Sequence, residues 1–326
     1  MKIFLRTFNN KINSKTGAPL PQGHYRGNPD WLEFQKLLIE CLKELGHETV
    51  EQVENPLVPD IEPVETDKRI YVHQTKRDRP NGDLFWMNMH MAGLYTVDTH
   101  GWGFEHSGLK DCTSYLEDAE DSRIFCEELS DKLHASGESK CKQPLTTDYT
   151  PEKFILVPTQ TPRDYTIKHH SPITVKYFIE SIVDWAVNNS YHVCFKLHPH
   201  GQDSELDSAI NYGASNSRFI HRVDGNIHEL IKRSSGLFVI NSGTGFESLI
   251  HGKPVATFGN CDYNRATFNA DIRRIDEARN FLYGWTDEQR VMAYQFVHWY
   301  YHRHAYSLSL SGTKERLIAY LKGVLQ

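Results

Sequence analysis

Short apolar runs alternate with mixed polar segments along the chain, and they predict strands and helices in turn. Near the start, the run KIFLR (2–6) predicts a strand, and the apolar positions between Trp31 and Leu45 have the spacing of a helix with one apolar face. Gly46 follows as a stop signal for that helix. Two further strands are predicted at RIYVHQ (69–74) and GLYTVD (93–98). Strands that alternate with helices predict a parallel sheet.

The second half of the chain shows this alternation more clearly. Strands are predicted at 153–159, 191–198, 236–240 and 254–259, with helices at 172–188, 227–234 and 245–251. This order is the outline of a Rossmann-like half. Apolar and aromatic residues at helical spacing predict two closing helices over 286–326.

Residues 117–150 lie between the two halves and are charged and poor in apolar side chains, which predicts a surface excursion or an interdomain linker. A chain of 326 residues is long for one compact core, so two domains are expected. We predict an N-terminal Rossmann-like domain over 1–148, a C-terminal Rossmann-like domain over 149–285, and the closing helices over 286–326.

The net charge of −6 and the pI near 6.3 argue against broad binding to nucleic acid or to an anionic membrane, which needs a basic surplus or a clustered basic face. We therefore expect a small partner. No apolar run approaches the roughly 18 residues of a membrane span, and the segment MKIFLRTFNN turns polar too early for a secretory signal. A soluble, cytoplasmic protein is expected; peripheral membrane association and the oligomeric state stay open.

Cysteine and histidine spacing gives no sign of a metal site. The six cysteines include no C-x-x-C pair, which predicts reduced structural thiols rather than a zinc cluster or a disulfide scaffold. His298, His302 and His304 fall on a predicted helix without an acidic ligand or an H-E-x-x-H pattern, so a packing or solvated face is favoured over a metal site. We expect no metal and no other cofactor.

Three loops that follow predicted strands in the second half carry candidate chemistry, because ligands of open α/β sheets bind outside the carboxyl ends of the strands. In the loop NSGTGFE, the side chains of Asn241, Ser242 and Thr244 offer hydrogen-bond partners. Gly243 and Gly245 would let a ligand approach the backbone at a helix N-terminus. A tight turn capped by Ser or Thr explains the same residues without a ligand.

Glu247 lies one turn into the helix that follows NSGTGFE. Its carboxylate would repel a phosphate at the helix mouth but would accept hydrogen bonds from ribose hydroxyls, so the pattern suits a nucleotide better than a bare phosphate. Neither G-x-x-x-x-G-K-[ST] nor G-x-G-x-x-G is present at this turn, and kinase, P-loop and dehydrogenase functions lose their main support.

The other two loops are FKLHPHG and PTQTPRDYTIKHHSP. Lys196 and His198 point the same way from an extended strand and would supply positive charge and hydrogen bonds to a diphosphate or phosphodiester leaving group, while Pro199 fixes the chain direction. Asp164 has the chemistry of a base or a nucleophile, with nearby histidines as partners. An aspartate that only caps the loop is an equal alternative.

Together, FILVPTQTPRDYTIKHHSP, FKLHPHG and INSGTGFESLIHGKPVATFGNCDYN resemble the Q-x-x-x-D, H-P and N-S-x-x-G-x-E-(A/S)-L-x-x-G-K-P-V…G…Y segments of the capsule-polysaccharide synthesis family that includes β-Kdo transferases, over about residues 153–264. The resemblance implies a metal-independent α/β fold of the GT-B type, with two Rossmann-like domains facing a cleft and C-terminal helices that cross back to the first domain. The C-terminal domain would bind the nucleotide sugar and the N-terminal domain a glycan acceptor.

For the β-Kdo branch, the resemblance implies CMP-Kdo as the donor and retention of configuration. Carried over by position, Asp164 would attack the anomeric carbon, Lys196 and His198 would contact the CMP phosphate, and Glu247 would hold the ribose. The predicted nucleotide-binding residues are Lys196, His198, Pro199, Asn241, Ser242, Gly243, Thr244, Gly245 and Glu247.

The N-terminal half departs from the family pattern. It lacks a clear match to the E-D-G-F-x-R-like segment, and YTVDTHGWGFEHSG is the nearest equivalent, with Asp98 and Glu105 as acid candidates. A plain strand-to-loop turn is the alternative for this stretch. We predict Asp164, Asp98 and His198 as catalytic residues of a glycosyltransferase. A UDP- or GDP-linked donor, a non-catalytic nucleotide-sugar or glycan-binding protein, and a nucleotide-sugar epimerase stay open as alternatives.

Overall fold

The computed structural model describes residues 2–7, 29–53, 67–109, 118–141, 143–144, 146–199 and 204–326. The chain divides into two compact units: unit 1 is Met1–Thr113 with Tyr300–Gln326, and unit 2 is Ser114–Trp299. Each unit is built around a six-stranded, mostly parallel sheet. The predicted α/β class with two Rossmann-like sheets is confirmed.

The strands and helices alternate through most of the described chain. In chain order the strands are β1 (Lys2–Thr7), β2 (Glu48–Val53), β3 (Lys68–Val72), β4 (Leu84–Asn88), β5 (Leu94–Asp98), β6 (Ile155–Pro158), β7 (Val193–Lys196), β8 (Ile220–Val223), β9 (Leu237–Val239), β10 (Val255–Thr257), β11 (Phe268–Asn269) and β12 (Tyr306–Ser307). The α-helices are α1 (Pro29–Glu44), α2 (Ala119–Ser136), α3 (Tyr165–His170), α4 (Val175–Asn189), α5 (Ser204–Asn216), α6 (Ile227–Arg233), α7 (Gly243–Ile250), α8 (Ile275–Tyr283), α9 (Asp287–Trp299) and α10 (Thr313–Val324).

The sheet of unit 1 has the order β12-β5-β4-β3-β1-β2. Strands β1 to β4 are parallel, whereas β5 runs antiparallel to β4 and β12 antiparallel to β5. Aromatic side chains fix α1 against this sheet: the rings of Phe34 and Tyr95 stack with centroids 4.1 Å apart, and those of Trp31 and Trp86 lie 5.0 Å apart. Strands β2 and β4 were not predicted. The sequence of β2, ETVEQV, is that of an edge strand with two charged residues. The sequence of β4, LFWMN, is short and buried at every position, so it lacks the alternation of apolar and polar residues that marks a strand.

The sheet of unit 2 is parallel throughout and has the order β11-β10-β9-β6-β7-β8. The chain begins in the middle with β6, adds β7 and β8 on one side, and then returns to add β9, β10 and β11 on the other. This is the Rossmann order, and it puts the topological switch point between β6 and β9. A core that includes Phe178, Ile182, Phe195, Phe238 and Phe258 packs the sheet against its helices.

Within residues 117–150, which are predicted as a surface excursion or an interdomain linker, Ala119–Ser136 form the helix α2. Asp118 caps this helix by accepting hydrogen bonds from the backbone N–H groups of Glu120 and Asp121, and Gly137 ends it with φ of 65°. The buried side of α2 is made mostly of small residues, so the segment looked apolar-poor: Ser122, Cys126, Ser130 and Leu133.

The chain passes from unit 1 to unit 2 after Thr113 and returns to unit 1 after Trp299. Helix α2 packs against α9, and this contact places both helices in unit 2. The chain enters unit 1 again only at Tyr300, through a five-residue π-helix (Tyr300–His304), strand β12 and α10. The closing segment thus contains the two predicted helices, but only the second belongs to unit 1. None of the helices in the described part of the chain has the length and apolar character that a membrane span requires.

Candidate functional site

Two buried amides join the loops at the switch point of unit 2. Gln160 Nε2 donates a hydrogen bond to Asn241 Oδ1 (2.8 Å), and the backbone N–H of Asn241 donates to Gln160 Oε1 (3.1 Å). Asn241 Nδ2 donates to the carbonyl oxygens of Thr166 (3.0 Å) and Asn260 (3.3 Å). Since the side-chain amide of Asn241 is used within the chain, this residue holds the loops in place at the crevice where ligands of such sheets bind.

The loop after β7 reaches the same edge. The backbone N–H of Thr159 donates to the carbonyl of Lys196 (2.9 Å), and the backbone N–H of His198 donates to Thr159 Oγ1 (3.0 Å). The loops after β6, β7 and β9, which carry the three sequence motifs, therefore meet at one edge of one sheet. Pro199 is exposed at the end of its loop, and His200 lies outside the described residues.

Ser242, Gly243 and Thr244 form the N-terminus of α7. Ser242 is the cap residue: its Oγ accepts a hydrogen bond from the backbone N–H of Thr244 (3.3 Å) and donates to Thr244 Oγ1 (3.2 Å). All three residues are half-buried. A first turn of this kind directs backbone N–H groups and the positive end of the helix dipole toward an anion.

Gly245 makes room for a tyrosine. A Cβ at this position would lie 2.6 Å from the hydroxyl oxygen of Tyr263, which is fully buried and donates a hydrogen bond to the carbonyl of Ser242. Burial raises the pKa of Tyr263 well above its ordinary value, so the hydroxyl stays protonated as a donor. Gly245, which the sequence predicts to let a ligand approach the backbone, leaves space for the Tyr263 side chain. The sequence signal for this packing was the tyrosine of NCDYN, which matches the final Y of the family pattern.

Opposite charges flank the site at Lys196 and Glu247. The Lys196 side chain is only 7% exposed, and its Nζ lies 3.3 Å from Oδ1 of the exposed Asp224. Glu247 is 3% exposed and accepts a hydrogen bond at Oε1 from Ser139 Oγ (2.7 Å). Both charges act on the thiol of Cys141. The pKa of this thiol is raised overall, mainly by burial and further by Glu247, although Lys140 and Lys196 act to lower it. The segment around Ser139, predicted as a surface excursion or an interdomain linker, thus contacts Glu247.

A chain of hydrogen bonds, here called the histidine relay, holds that segment. Ser130 Oγ lies 2.7 Å from His251 Nδ1, His251 Nε2 lies 2.9 Å from His228 Nδ1, and His228 Nε2 lies 2.7 Å from the carbonyl oxygen of Glu138. Because the carbonyl can only accept, His228 donates to it, His251 donates to His228, and Ser130 donates to His251. Burial lowers the pKa of His228 and lowers that of His251 to about 3.

Asp164 caps α3 from an exposed position. Its Oδ1 accepts hydrogen bonds from the backbone N–H and the hydroxyl of Thr166, both at 2.9 Å. Within the described residues no hydrogen bond reaches Oδ2 of this carboxylate. The predicted histidine partners lie elsewhere on α3, where the rings of His169 and His170 contact Tyr165. The capping alternative is therefore present, and it leaves one carboxylate oxygen available to a ligand.

Asp98 lies in unit 1, 1% exposed at the end of β5. Its carboxylate accepts hydrogen bonds from the backbone N–H groups of His100 (2.8 Å), Gly101 (3.1 Å) and Ser107 (3.0 Å) and from the Ser107 hydroxyl. Burial raises the pKa of Asp98, but His106 and the donors from Ser107 and His100 outweigh it and lower the pKa overall. This geometry anchors the loop after β5. The catalytic role of Asp98 stays a prediction.

Two further predictions concern Glu105 and the three histidines His298, His302 and His304. Glu105 accepts a hydrogen bond from Arg77 Nε (2.9 Å) within unit 1. His298 belongs to unit 2, whereas His302 and His304 belong to unit 1. Over the described ranges, no three His, Cys, Asp or Glu side chains are grouped so that they could hold a metal ion.

Residues 105–281, more than half of the chain, match the family described as capsule polysaccharide biosynthesis protein. The chain belongs to this family. Its match includes the whole switch-point edge, from the segment of Ser139 to Tyr263, and the resemblance predicted from the three motifs is confirmed.

The chain is also similar to individual proteins and solved structures. Protein FixF of Sinorhizobium fredii is 32% identical over 157 residues, which cover 45% of this chain and 38% of FixF, so the match spans well under half of that relative. The β-Kdo 2,7 transferase structure of Thermosulfurimonas dismutans KpsC superposes with a TM-score of 0.53 at 18% identity, over 88% of this chain and 96% of that one. The β-Kdo 2,4 transferase structure of the same protein gives 0.48 at 13% identity, over 90% and 96%. The superposition on the β-Kdo 2,7 transferase structure shows that the chain has a GT-B-like fold.

Proposed function

We propose that this protein transfers a sugar from a nucleotide-linked donor, a CMP-linked acidic sugar such as CMP-Kdo, to a glycan acceptor, and that the nucleotide binds at the switch point of unit 2. The observation that carries this proposal is the meeting of the three family motifs at one sheet edge, joined by the hydrogen bonds between Gln160 and Asn241. Nucleotides bind at this place in doubly wound sheets. The proposal includes a cytoplasmic place of action.

The phosphate of the donor would lie at the first turn of α7, between Ser242, Thr244 and the Lys196 amine. Lys196 is almost buried, and its present partner Asp224 is 74% exposed, so a phosphate can replace this carboxylate at little cost. His198, on the loop after β7, would add a further donor. These groups supply positive charge to the leaving phosphate, and we therefore propose transfer without a divalent metal.

The ribose would be held by Glu247. Its buried carboxylate is fixed by the hydroxyl of Ser139, and a fixed carboxylate accepts hydrogen bonds from ribose hydroxyls at a defined distance from the phosphate. This arrangement supports a nucleotide rather than a free sugar phosphate as the ligand.

Asp164 would act as the nucleophile. Its Oδ1 is held by Thr166, so Oδ2 would attack the anomeric carbon, forming a bond to the sugar as the bond to the phosphate breaks. The acceptor hydroxyl would then attack the same carbon and displace the Asp164 carboxylate, while its proton passes to the phosphate of the released CMP. Two displacements retain the configuration of that carbon, whereas a single one would invert it.

The first test is thermal unfolding against CMP, UMP, UDP, GDP and ADP, each with magnesium and with EDTA. Saturation at about 100 times the dissociation constant adds roughly 2.7 kcal/mol to the stability of the binding state. Stabilisation by CMP, unchanged by EDTA, is expected. Selective stabilisation by UDP or GDP would indicate a UDP- or GDP-linked sugar as the donor instead. The absence of a response to any nucleotide would refute the proposed nucleotide site.

The second test removes the nucleophile without removing the cap. Asparagine is as good a helix cap as aspartate, so Asp164→Asn should leave the stability and CMP binding nearly unchanged while abolishing turnover of the CMP-sugar. Asp118→Asn is the matched control, because Asp118 also caps an exposed helix start in unit 2. Turnover retained in Asp164→Asn would remove this residue from the mechanism.

A further inference from the structure

Two side chains at α7 reach the segment that follows α2. Glu247 lies within α7 and His251 caps its C-terminus, so these residues are four positions apart and lie on one side of the helix. Ser139 Oγ donates a hydrogen bond to Glu247 Oε1 (2.7 Å). Glu138, the residue before Ser139, is bound at its carbonyl oxygen by the histidine relay that contains His251. The peptide between Glu138 and Ser139 is therefore connected to the same side of α7 at two points.

His228 is the member of the relay that binds the main chain. It is fully buried, so both ring nitrogens must find their partners within the protein. Nε2 donates to the carbonyl oxygen of Glu138 (2.7 Å), and Nδ1 accepts from Nε2 of His251 (2.9 Å). A neutral imidazole, with one donor and one acceptor, satisfies both contacts, whereas an apolar side chain at this position would remove both hydrogen bonds.

The start of α6 holds the His228 ring in a defined position. The backbone N–H of His228 donates to Oδ1 of the cap residue Asn226 (2.9 Å). The Glu138 carbonyl belongs to the planar peptide unit that also contains the nitrogen and the Cα of Ser139. Because the fixed ring binds this carbonyl, it restricts where the Ser139 hydroxyl can lie.

We propose that the histidine relay positions the carboxylate that binds the ribose of the nucleotide. The relay fixes the peptide unit between Glu138 and Ser139, and the Ser139 hydroxyl in turn sets the orientation of the Glu247 carboxylate. A carboxylate can accept about four hydrogen bonds, so Glu247 can bind Ser139 and both ribose hydroxyls together. His228 and His251 act through Ser139 and are positioning residues. This inference rests on the nucleotide site and the ribose contact of Glu247 proposed above.

The test compares the binding of CMP and of dideoxy-CMP, which lacks both ribose hydroxyls, by titration calorimetry. The wild type is expected to bind CMP about tenfold or more tightly than dideoxy-CMP, since hydrogen bonds to a charged group are worth at least this much. His228→Leu and Ser139→Ala should each weaken CMP about tenfold while the affinity for dideoxy-CMP stays nearly unchanged. A role limited to stability would change both affinities alike or neither.

Two further variants show whether the effect passes through the relay. His228→Gln keeps an N–H group that can reach the Glu138 carbonyl, so it should retain more of the preference for CMP than His228→Leu. In a Ser139→Ala background, His228→Leu should cause no further loss of preference, because the contact through which it acts is already absent. Additive losses in the double variant would overturn the proposal.

His221→Leu is the matched control. Nε2 of His221 lies 2.9 Å from Nδ1 of His192, so this variant also removes a hydrogen bond between two histidines of unit 2. His192 immediately precedes β7, at the end of the strand away from the nucleotide site, and His221→Leu should keep the wild-type preference for CMP. If His228→Leu does not fold, His251→Leu breaks the relay at a less buried ring and gives the same comparison.

The results separate this inference from the proposed function. If the wild type prefers CMP to dideoxy-CMP and the relay variants keep that preference, the relay inference alone is wrong. If the relay variants weaken both ligands equally, the relay only stabilises unit 2, and the inference is again wrong. If the wild type binds both ligands equally, or binds neither, the proposed ribose contact or the proposed nucleotide site fails, and the relay inference fails with it.

Discussion

The histidine relay should make the stability of unit 2 fall as the pH is lowered from 7.5 to 5. The folded state lowers the pKa of His251 from 6.5 to about 3, mainly by burial, with a further contribution from His228. A histidine with a lowered pKa is held neutral in the folded state, and protons bind the unfolded state more readily. Its stabilising effect is therefore complete above about pH 6.5 and is lost as the pH falls toward 3.

The size of the loss follows from the shift. A pH of 5 is 1.5 units below the ordinary histidine pKa of 6.5 and still above the pKa of His251 in the folded state. Each pH unit in this interval changes the free energy of unfolding by about 1.36 kcal/mol, so His251 alone should reduce it by about 2 kcal/mol. Glutamine can donate and accept in place of the imidazole but does not titrate. His251→Gln should therefore lose about 2 kcal/mol less than the wild type over the same pH interval.

The assay is hydrogen exchange of peptides from α6 and α7 at pH 7.5 and 5, corrected for intrinsic exchange, since the two units can unfold separately. His169→Gln is the control, because His169 lies on α3 in unit 2 outside the relay. The reasoning is refuted if the wild type and His251→Gln lose the same free energy between the two pH values, or if His169→Gln flattens the pH dependence as much as His251→Gln does.

Three further predictions concern the switch-point edge. Gly245→Ala should destabilise unit 2 by about 1–3 kcal/mol in urea unfolding, because the new Cβ would lie 2.6 Å from the Tyr263 hydroxyl oxygen. Adding Tyr263→Phe to this variant should restore part of the lost stability. A Gly245→Ala variant as stable as the wild type would contradict the packing. Gln160→Ala should cost about 1–3 kcal/mol of stability and weaken CMP binding, because the buried Asn241 loses two hydrogen bonds. A CMP affinity equal to that of the wild type would show that the hydrogen bonds between Gln160 and Asn241 do not support the nucleotide site. Lys196→Met should weaken CMP about tenfold to a hundredfold in calorimetry with little effect on cytidine, whereas equal losses for both ligands would exclude a phosphate contact.

Local sequence signals identified most of the elements of unit 2. The strands at β6, β7, β9 and β10 are short apolar runs bounded by turn residues, and the start of α7 is marked by the cap residue Ser242. Such signals depend on neighbours within a few residues, so they can be read without the fold. The three motifs were therefore located correctly at strand ends.

The same local reasoning failed where burial depends on a distant partner. Helix α2 buries small residues such as Ser130 against other elements of unit 2, and nothing in its own composition distinguishes it from a linker. Strands β2 and β4 were missed for the same reason, since their pairing with β1 and β3 defines them.

The sequence by itself determined the α/β class, the family, and the residue types that meet a nucleotide at the end of β9. Tertiary structure alone decided what several of those residues do: Asn241 binds Gln160 across 81 positions, Glu247 binds Ser139 across 108, and Gly245 accommodates Tyr263. It also decided that the histidine relay forms between α2, α6 and α7. The physical reason is that hydrogen bonds and packing act over a few ångströms in space, whereas a sequence pattern records only distance along the chain.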